Sequence, residues 1–132
     1  AKNKKEEYKE QNLLFLEETA SQGLQAAVWR INKVLEQGTG TVSPQLSSVV
    51  TVHYRGTLIN GREFDNSWKR SCPEAFRLNQ VIEGWQQALQ QMHVGDKWIV
   101  YIPYTLGYGN RPSGPIPAFS TLVFEVELLG IA

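Results

Sequence analysis

Residues 48–67 read SVVTVHYRGTLINGREFDNS, and the fold turns on how this stretch is read. Val50, Val52 and Tyr54 alternate with Val49, Thr51 and His53, the period of two that sends successive side chains to opposite faces of a strand. Asn60-Gly61 lies between two such runs. The dipeptide predicts a type I′ hairpin turn, which needs positive φ at both central residues. REFDNS then returns as the partner strand.

Working outward, AFRL at 75–78 reads as a short strand, and a short helix follows. Trp85, Ala88, Leu89 and Met92 recur on one face of it, and His93-Val94-Gly95 supplies a C-terminal stop. DKWIVYIP at 96–103 is another strand, ended by Pro103. STLVFEVELLGI at 120–131 is the clearest: Leu122, Phe124, Val126 and Leu128 alternate with Val123, Glu125 and Glu127. YTLGYGNRPSGPIPAFS, residues 104–120, holds three of the six prolines and three of the eleven glycines, too constrained for a plain linker. Toward the N-terminus, residues 4–22 predict a helix with Leu13, Leu16 and Ala20 on one face and Gly23 as its stop. VWRINKVLEQGTG at 28–40 then reads as extended chain ending in a glycine loop. The expected architecture is α+β: a twisted antiparallel sheet of five to six strands wrapped around one short central helix, preceded by an N-terminal helix. Residues 1–27 form the charged helical extension and 28–132 the domain.

A chain of 132 residues with 42% hydrophobic content can bury a real core as a single domain. Its thirteen basic and thirteen acidic residues cancel, which removes the electrostatic case for nucleic acid. No apolar run approaches the roughly 20 residues of a membrane span. Cys72 is the only cysteine, so an intramolecular disulfide and a multi-cysteine zinc site are both excluded. The mixed-charge start KNKKEEYKE, residues 2–10, reads as a solvated terminus. Its lysines suit a tether in a bacterial envelope or periplasm, with the cytoplasm as the alternative.

Hydrolytic chemistry has no foothold. There is no G-x-S-x-G elbow, and His53 and His93 lack a neighbouring serine, cysteine or carboxylate pattern. His53 takes its place in a strand alternation, and His93 ends a helix, where a cation complements the dipole. No ligand-spaced cluster calls for a metal, and GYGNRPSG at 107–114 lacks the Lys-Ser/Thr of a phosphate loop. What stands out is a set of aromatics beside turn glycines or a lone carboxylate: Tyr54, Phe64, Trp85, Tyr108 and Phe124. Each on its own reads as core. Together they outline an aromatic-walled cleft with a few polar groups, the usual form of a small-ligand site. Trp85, in the first turn of its helix, is either core or the floor of that cleft.

Three motifs, VTVHYRGTLINGREFDNS, VIEGWQQALQQMHVGDKWIVYIP and GYG…IPAFSTLVFEVELL, occur in an order and spacing that resemble the FKBP-type peptidyl-prolyl cis-trans isomerases over residues 48–130. INKVLEQGTG extends the resemblance to about Ile31. It implies the same sheet-around-helix fold and a proline-binding pocket that uses no cofactor or metal. Trp85 would be the floor, with Tyr54, Phe64, Val81, Ile82, Tyr108 and Phe124 as walls, and Ile116 would close one rim. Asp65 would stand beside Phe64, while the Ile82 N–H and the Tyr108 hydroxyl hold substrate carbonyls. The implied partners are proline-containing polypeptides and macrolide inhibitors. The sequence departs from the family pattern at Glu74, where an aromatic is frequent, at Asn66 within FDNS, and at Phe119 in the tip loop. The rival reading is a peptide-binding or chaperone module with little turnover, but that would have lost the pocket aromatics or Asp65. For residues 4–22 two readings stand: a homodimer contact through LLFL at 13–16, or a helix packed on its own domain.

Overall fold

The computed structural model describes residues 3–21, 25–27 and 30–132. Helix α1 spans Lys4–Ala20; β1 (Gln25–Ala27), β2 (Arg30–Glu36), β3 (Val49–Thr57), β4 (Glu63–Asn66) and β5 (Glu74–Arg77) follow. Then come α2 (Glu83–Leu89), β6 (Lys97–Ile102) and β7 (Leu122–Ile131). The strands make one antiparallel sheet in the order β1-β2-β6-β7-β3-β4, with β5 pairing β3 off that path. The expected antiparallel sheet around one short helix is therefore what forms.

β3 organises this sheet. One edge pairs with β7 from Val50↔Ile131 to Thr57↔Val123. The other is shared, Val49–Val52 pairing with β5 and Arg55–Thr57 with β4. Between those two pairings the chain leaves as a loop, and the Ser67 side chain takes up the orphaned ladder positions. Its Oγ accepts the Tyr54 N–H at 2.7 Å, and the Ser67 N–H donates to the Tyr54 carbonyl at 2.9 Å. His53, on the opposite face, places Nδ1 2.8 Å from Ser67 Oγ and stacks on Trp68. That is a structural role.

The alternation on β7 is realised as expected: Leu122, Phe124, Val126 and Leu128 are buried. They meet Val50 and Val52 of β3, Val100 and Ile102 of β6, and the α2 face of Trp85, Ala88, Leu89 and Met92. α2 itself closes at Leu89, earlier than His93-Val94-Gly95 predicted. Met92 reaches the core through a tighter turn, its N–H donating to the Leu89 carbonyl at 3.1 Å.

Two local expectations are corrected. The Asn60-Gly61 turn is not type I′, because only Gly61 has positive φ, 84°. The Gly61 N–H closes on the Leu58 carbonyl at 2.9 Å, making a three-residue loop with a left-handed glycine at its end. Asn60 has no positive φ, and its Oδ1 accepts the Arg62 N–H at 2.9 Å.

The second correction concerns α1. Of the face read from the sequence, Leu13 is 40% exposed and Ala20 is exposed, with Leu16 half-buried, and the neighbouring Leu14 is 53% exposed. Asn12 and Thr19 are the buried positions, on the stripe that also carries Tyr8 and Phe15. Asn3 caps the helix by accepting the Glu6 N–H at 2.8 Å, and Glu6 and Glu7 complement the positive end of its dipole. The predicted stop at Gly23 lies outside the described residues. Among those residues no helix is long and apolar enough to cross a membrane.

Gly84, in the first turn of α2, is buried, and a Cβ there would lie 2.6 Å from Ile102 Cγ2. It is the close approach of α2 to β6 that demands glycine. Gly84→Ala gains roughly 1 kcal/mol of helix propensity at most but overpacks a fully buried isoleucine, which typically costs about 1–3 kcal/mol. The expected result in urea denaturation is net destabilisation of up to about 2 kcal/mol, and a much smaller effect of Gly84→Ala in an Ile102→Ala background, where both γ carbons of the isoleucine are gone. Equal loss with and without the Ile102 change would locate the effect elsewhere.

Candidate functional site

The motif residues converge on a concave cavity of about 510 Å³. Tyr54 comes from β3, Phe64 and Asp65 from β4, and Val81, Ile82 and Trp85 from the entry to α2. Tyr108 and Ile116 come from the 104–121 segment, and Phe124 from β7. Every side chain named from the sequence thus lines one space. So do Phe76, Gln80, Ser113, Gly114 and Pro115, none of which the sequence reading placed there. Phe76 had a signal available, since it sits on a short strand one residue before an arginine and two before a buried leucine. The others have none, being brought in by loop geometry.

Trp85 is 5% exposed and forms the base. Tyr54, Phe76 and Phe124 stand against the indole at centroid distances of 5.2, 5.7 and 5.2 Å and interplanar angles of 83°, 88° and 83°. Edge-to-face contact is the favoured geometry for ring quadrupoles, so one flat ring carries three upright walls. Trp85 is both core and floor. Phe64 packs edge-on against Phe124 at 5.5 Å. Gly56 makes that contact possible: a Cβ there would fall 2.5 Å from the Phe64 ring and 2.8 Å from Phe124.

The aliphatic rim follows from the way α2 begins. Ile82 is its N-cap residue, with extended ψ of 151° and no side-chain cap. Val81 and Ile82 therefore project beside the indole. Among the described residues nothing accepts the Ile82 N–H, one of the donors a helix start leaves open. Gly84 does not guard this entrance, as its missing side chain would point at Ile102 instead. Ile116 is held opposite by a tight hairpin in which Ser113 and Ile116 exchange N–H···O bonds of 2.9 Å in both directions.

The polar edge is a connected network. The Tyr54 hydroxyl donates to Asp65 Oδ2, and Arg70 Nη1 donates to Asp65 Oδ1 at 2.5 Å. Arg70 also reaches the Tyr54 hydroxyl at 3.3 Å and Glu74 at 3.4 Å. Glu74 is thus an ion-pair partner where the family resemblance expects an aromatic. Arg70 was missed from the sequence because nothing in its spacing ties it to Asp65; only the loop between β4 and β5 does. Partial burial works to raise the Asp65 carboxyl, yet the bonds from Tyr54 and Arg70 and the guanidinium charge outweigh it and hold it below 3.8. Tyr54 is pushed up to about 12 by burial and by its bond to Asp65. Burial, then the Asp65 charge, raises Tyr108 as well. At neutral pH the site therefore presents one fixed carboxylate and two protonated phenols. Phe119 does not line the cavity, its ring packing on Tyr104 at 5.0 Å.

The model of the FKBP-type peptidyl-prolyl cis-trans isomerases matches residues 40–129. Over 100 residues the chain is 52% identical to the FKBP-type 22 kDa peptidyl-prolyl cis-trans isomerase of Escherichia coli K12, covering 75% of this chain and 48% of that protein. It is 44% identical over 100 residues to the outer membrane protein MIP of Legionella longbeachae, covering 75% and 42%. The chain spans less than half the length of these two relatives. The crystal structure of a peptidyl-prolyl cis-trans isomerase from Pseudomonas syringae superposes with a TM-score of 0.89 at 33% identity, covering 100% of this chain and 98% of that one. Agreement at all three levels, in family model, sequence and three-dimensional course, carries one conclusion: the chain belongs to the FKBP-type peptidyl-prolyl cis-trans isomerase family.

Proposed function

We propose that this protein catalyses rotation about X–Pro peptide bonds in polypeptides, as a folding helper, with residues 28–132 as the isomerase unit and 1–27 as its extension. The observation that carries this reading is a desolvated aromatic well with open donors at its mouth. Amide rotation faces a barrier of roughly 18–20 kcal/mol because resonance is broken, and for X–Pro bonds it takes tens to hundreds of seconds uncatalysed. A catalyst must bind the twisted amide better than either planar form. The twisted state has lost much of its charge separation, so a well floored by Trp85 and walled by Tyr54, Phe64, Phe124, Val81 and Ile116 penalises it less than the planar state. The Ile82 N–H and the Tyr108 hydroxyl hold the flanking carbonyls while the bond turns. Asp65 sets a fixed negative charge on one edge, which repels the rotating carbonyl oxygen and directs it toward the donors. No covalent intermediate is involved.

A peptide assay of proline isomerisation tests this directly. Tyr108→Phe removes one hydrogen bond, worth about 0.5–1.5 kcal/mol, and should lower kcat/KM by roughly threefold to tenfold. Trp85→Leu and Asp65→Val should lose at least as much. Wild-type turnover no faster than buffer would leave the alternative, a binding or chaperone module on the same fold. Macrolide inhibitors of this class should compete with peptide for the well.

The pH dependence follows from Asp65. Its carboxyl lies below the ordinary value when folded, so its contribution is intact above 3.8 and is lost as pH falls through the depressed value. Activity should stay level through the neutral range and drop only in acid. Arg70→Gln removes a hydrogen bond and a positive charge, so the acid limb of kcat/KM, and the Asp65 carboxyl signal in an NMR titration, should both move to higher pH. An unmoved limb would sink the role given to Arg70.

The name of the Legionella relative supports an envelope location in this case too. With Leu13 and Leu14 exposed on the side of α1 away from Asn12, residues 4–22 supply the contact of a homodimer. Sedimentation should show the full chain associating and Leu13→Glu/Leu14→Glu as a monomer; identical monomers would end the idea.

A further inference from the structure

We infer that α1 clamps the lip of the cavity, with Asn12 and Tyr8 as positioning residues for Tyr108 and Ile116. The inference rests on the isomerase reading for its kinetic consequence and on geometry for the rest.

A helix that merely covers a domain does so with apolar side chains. α1 does the opposite, leaving Leu13 and Leu14 outside and burying Asn12 completely. A buried amide is costly unless its hydrogen bonds are made. Asn12 makes them at both ends: Nδ2 donates to the Tyr8 carbonyl at 2.8 Å, and Oδ1 accepts the Thr121 N–H at 2.7 Å. The Thr121 hydroxyl lies 3.4 Å from the Asn12 carbonyl. One turn earlier, the Tyr8 hydroxyl sits 2.9 Å from Ser120 Oγ, which donates to the Pro117 carbonyl at 2.7 Å. The helix thus grips backbone and side chains of the arm 117–121 by directed bonds, which fix position more sharply than apolar contact does.

That arm continues into both sides of the lip. Toward the N-terminus it joins Ile116, held in the Ser113 hairpin. Sideways, the Phe119 N–H donates to the Gly109 carbonyl at 2.9 Å, next to Tyr108, and the Gly109 N–H is bound to the Tyr104 carbonyl. Phe119 adopts φ of 64°, a conformation that bulky side chains rarely take and that persists only where the surroundings over-determine it. Here they do, because the ring is wedged against Tyr104 while the Lys9 and Lys5 ammonium groups of α1 lie 4.9 and 5.5 Å from its centroid. Released from α1, Phe119 has less reason to hold that conformation, and the donor and rim residues tied to it lose their fixed placement. Small misplacements of binding groups carry large kinetic consequences.

The test uses the full chain, isotope-labelled, and two readouts: the backbone amide shifts of Tyr108, Gly109 and Ile116, and peptide isomerisation kinetics. Tyr8→Phe removes a single oxygen, and Asn12→Ala removes the buried amide. Thr19→Val is the control, because among the described residues its hydroxyl bonds only the Phe15 carbonyl of its own helix. Tyr8→Phe and Asn12→Ala should move those amide signals and raise KM by about threefold to tenfold with a smaller change in kcat, while Thr19→Val leaves both unchanged. Unmoved amides and KM in Tyr8→Phe and a folded Asn12→Ala would overturn the inference, as would Thr19→Val producing the same changes. Should Asn12→Ala fail to fold, Tyr8→Phe decides by itself. A wild type without turnover would remove the isomerase reading, yet the amide shifts would still decide whether α1 positions the lip.

Discussion

The contact on which most else depends is the seating of the Trp85 indole among Tyr54, Phe76 and Phe124. Those rings arrive from β3, β5 and β7, so a single residue at the start of α2 locks the helix to three strands at once. The preference of aromatic quadrupoles for edge-to-face contact keeps the walls upright. Had they stacked flat on the indole, the same residues would have made a filled core with no cavity above it. Glycines at 56 and 84 permit the closest approaches in this region, one between rings and one between helix and sheet.

Polar groups enter this apolar setting in a controlled way. Asp65 is anchored by a phenol and a guanidinium on one side of the well. Among the described residues the Ile82 N–H and the Tyr108 hydroxyl remain open. Such an arrangement holds its charge constant over the physiological range and leaves unspent the two donors proposed to meet substrate carbonyls. The same logic explains Glu74: an acid at the rim is stable because Arg70 already serves Asp65 nearby.

Helix α1 joins the domain through hydrogen bonds from a buried amide to a loop backbone, with Phe15 against Tyr101, while Leu13 and Leu14 face outward. Directed bonds tie it to one place on the molecule and leave an apolar edge facing outward. One face of the helix therefore serves its own domain, while the outward Leu13 and Leu14 are left for the proposed homodimer contact.

Much of this was legible in the residues. Strict alternation in β3 and β7 identified the strands, since a half-buried sheet admits one periodicity and a single-residue slip would turn every side chain around. The 85, 88, 89, 92 spacing identified the buried face of α2, and the three motifs brought the cavity residues together before any coordinates. What stayed illegible has a common cause. Arg70 on Asp65, Asn12 on Thr121, and Gln80 and Ser113 at the cavity are meetings between segments whose sequence separation carries no periodic signal. The Asn60-Gly61 turn erred for a related reason, because loop length and the bulge in β3, not the dipeptide, selected the turn. Local pattern determined which strands and which helix would form and which rings would face inward. Only the folded sheet decided which polar groups would find one another, because such partners are chosen by distance in space and not by distance along the chain.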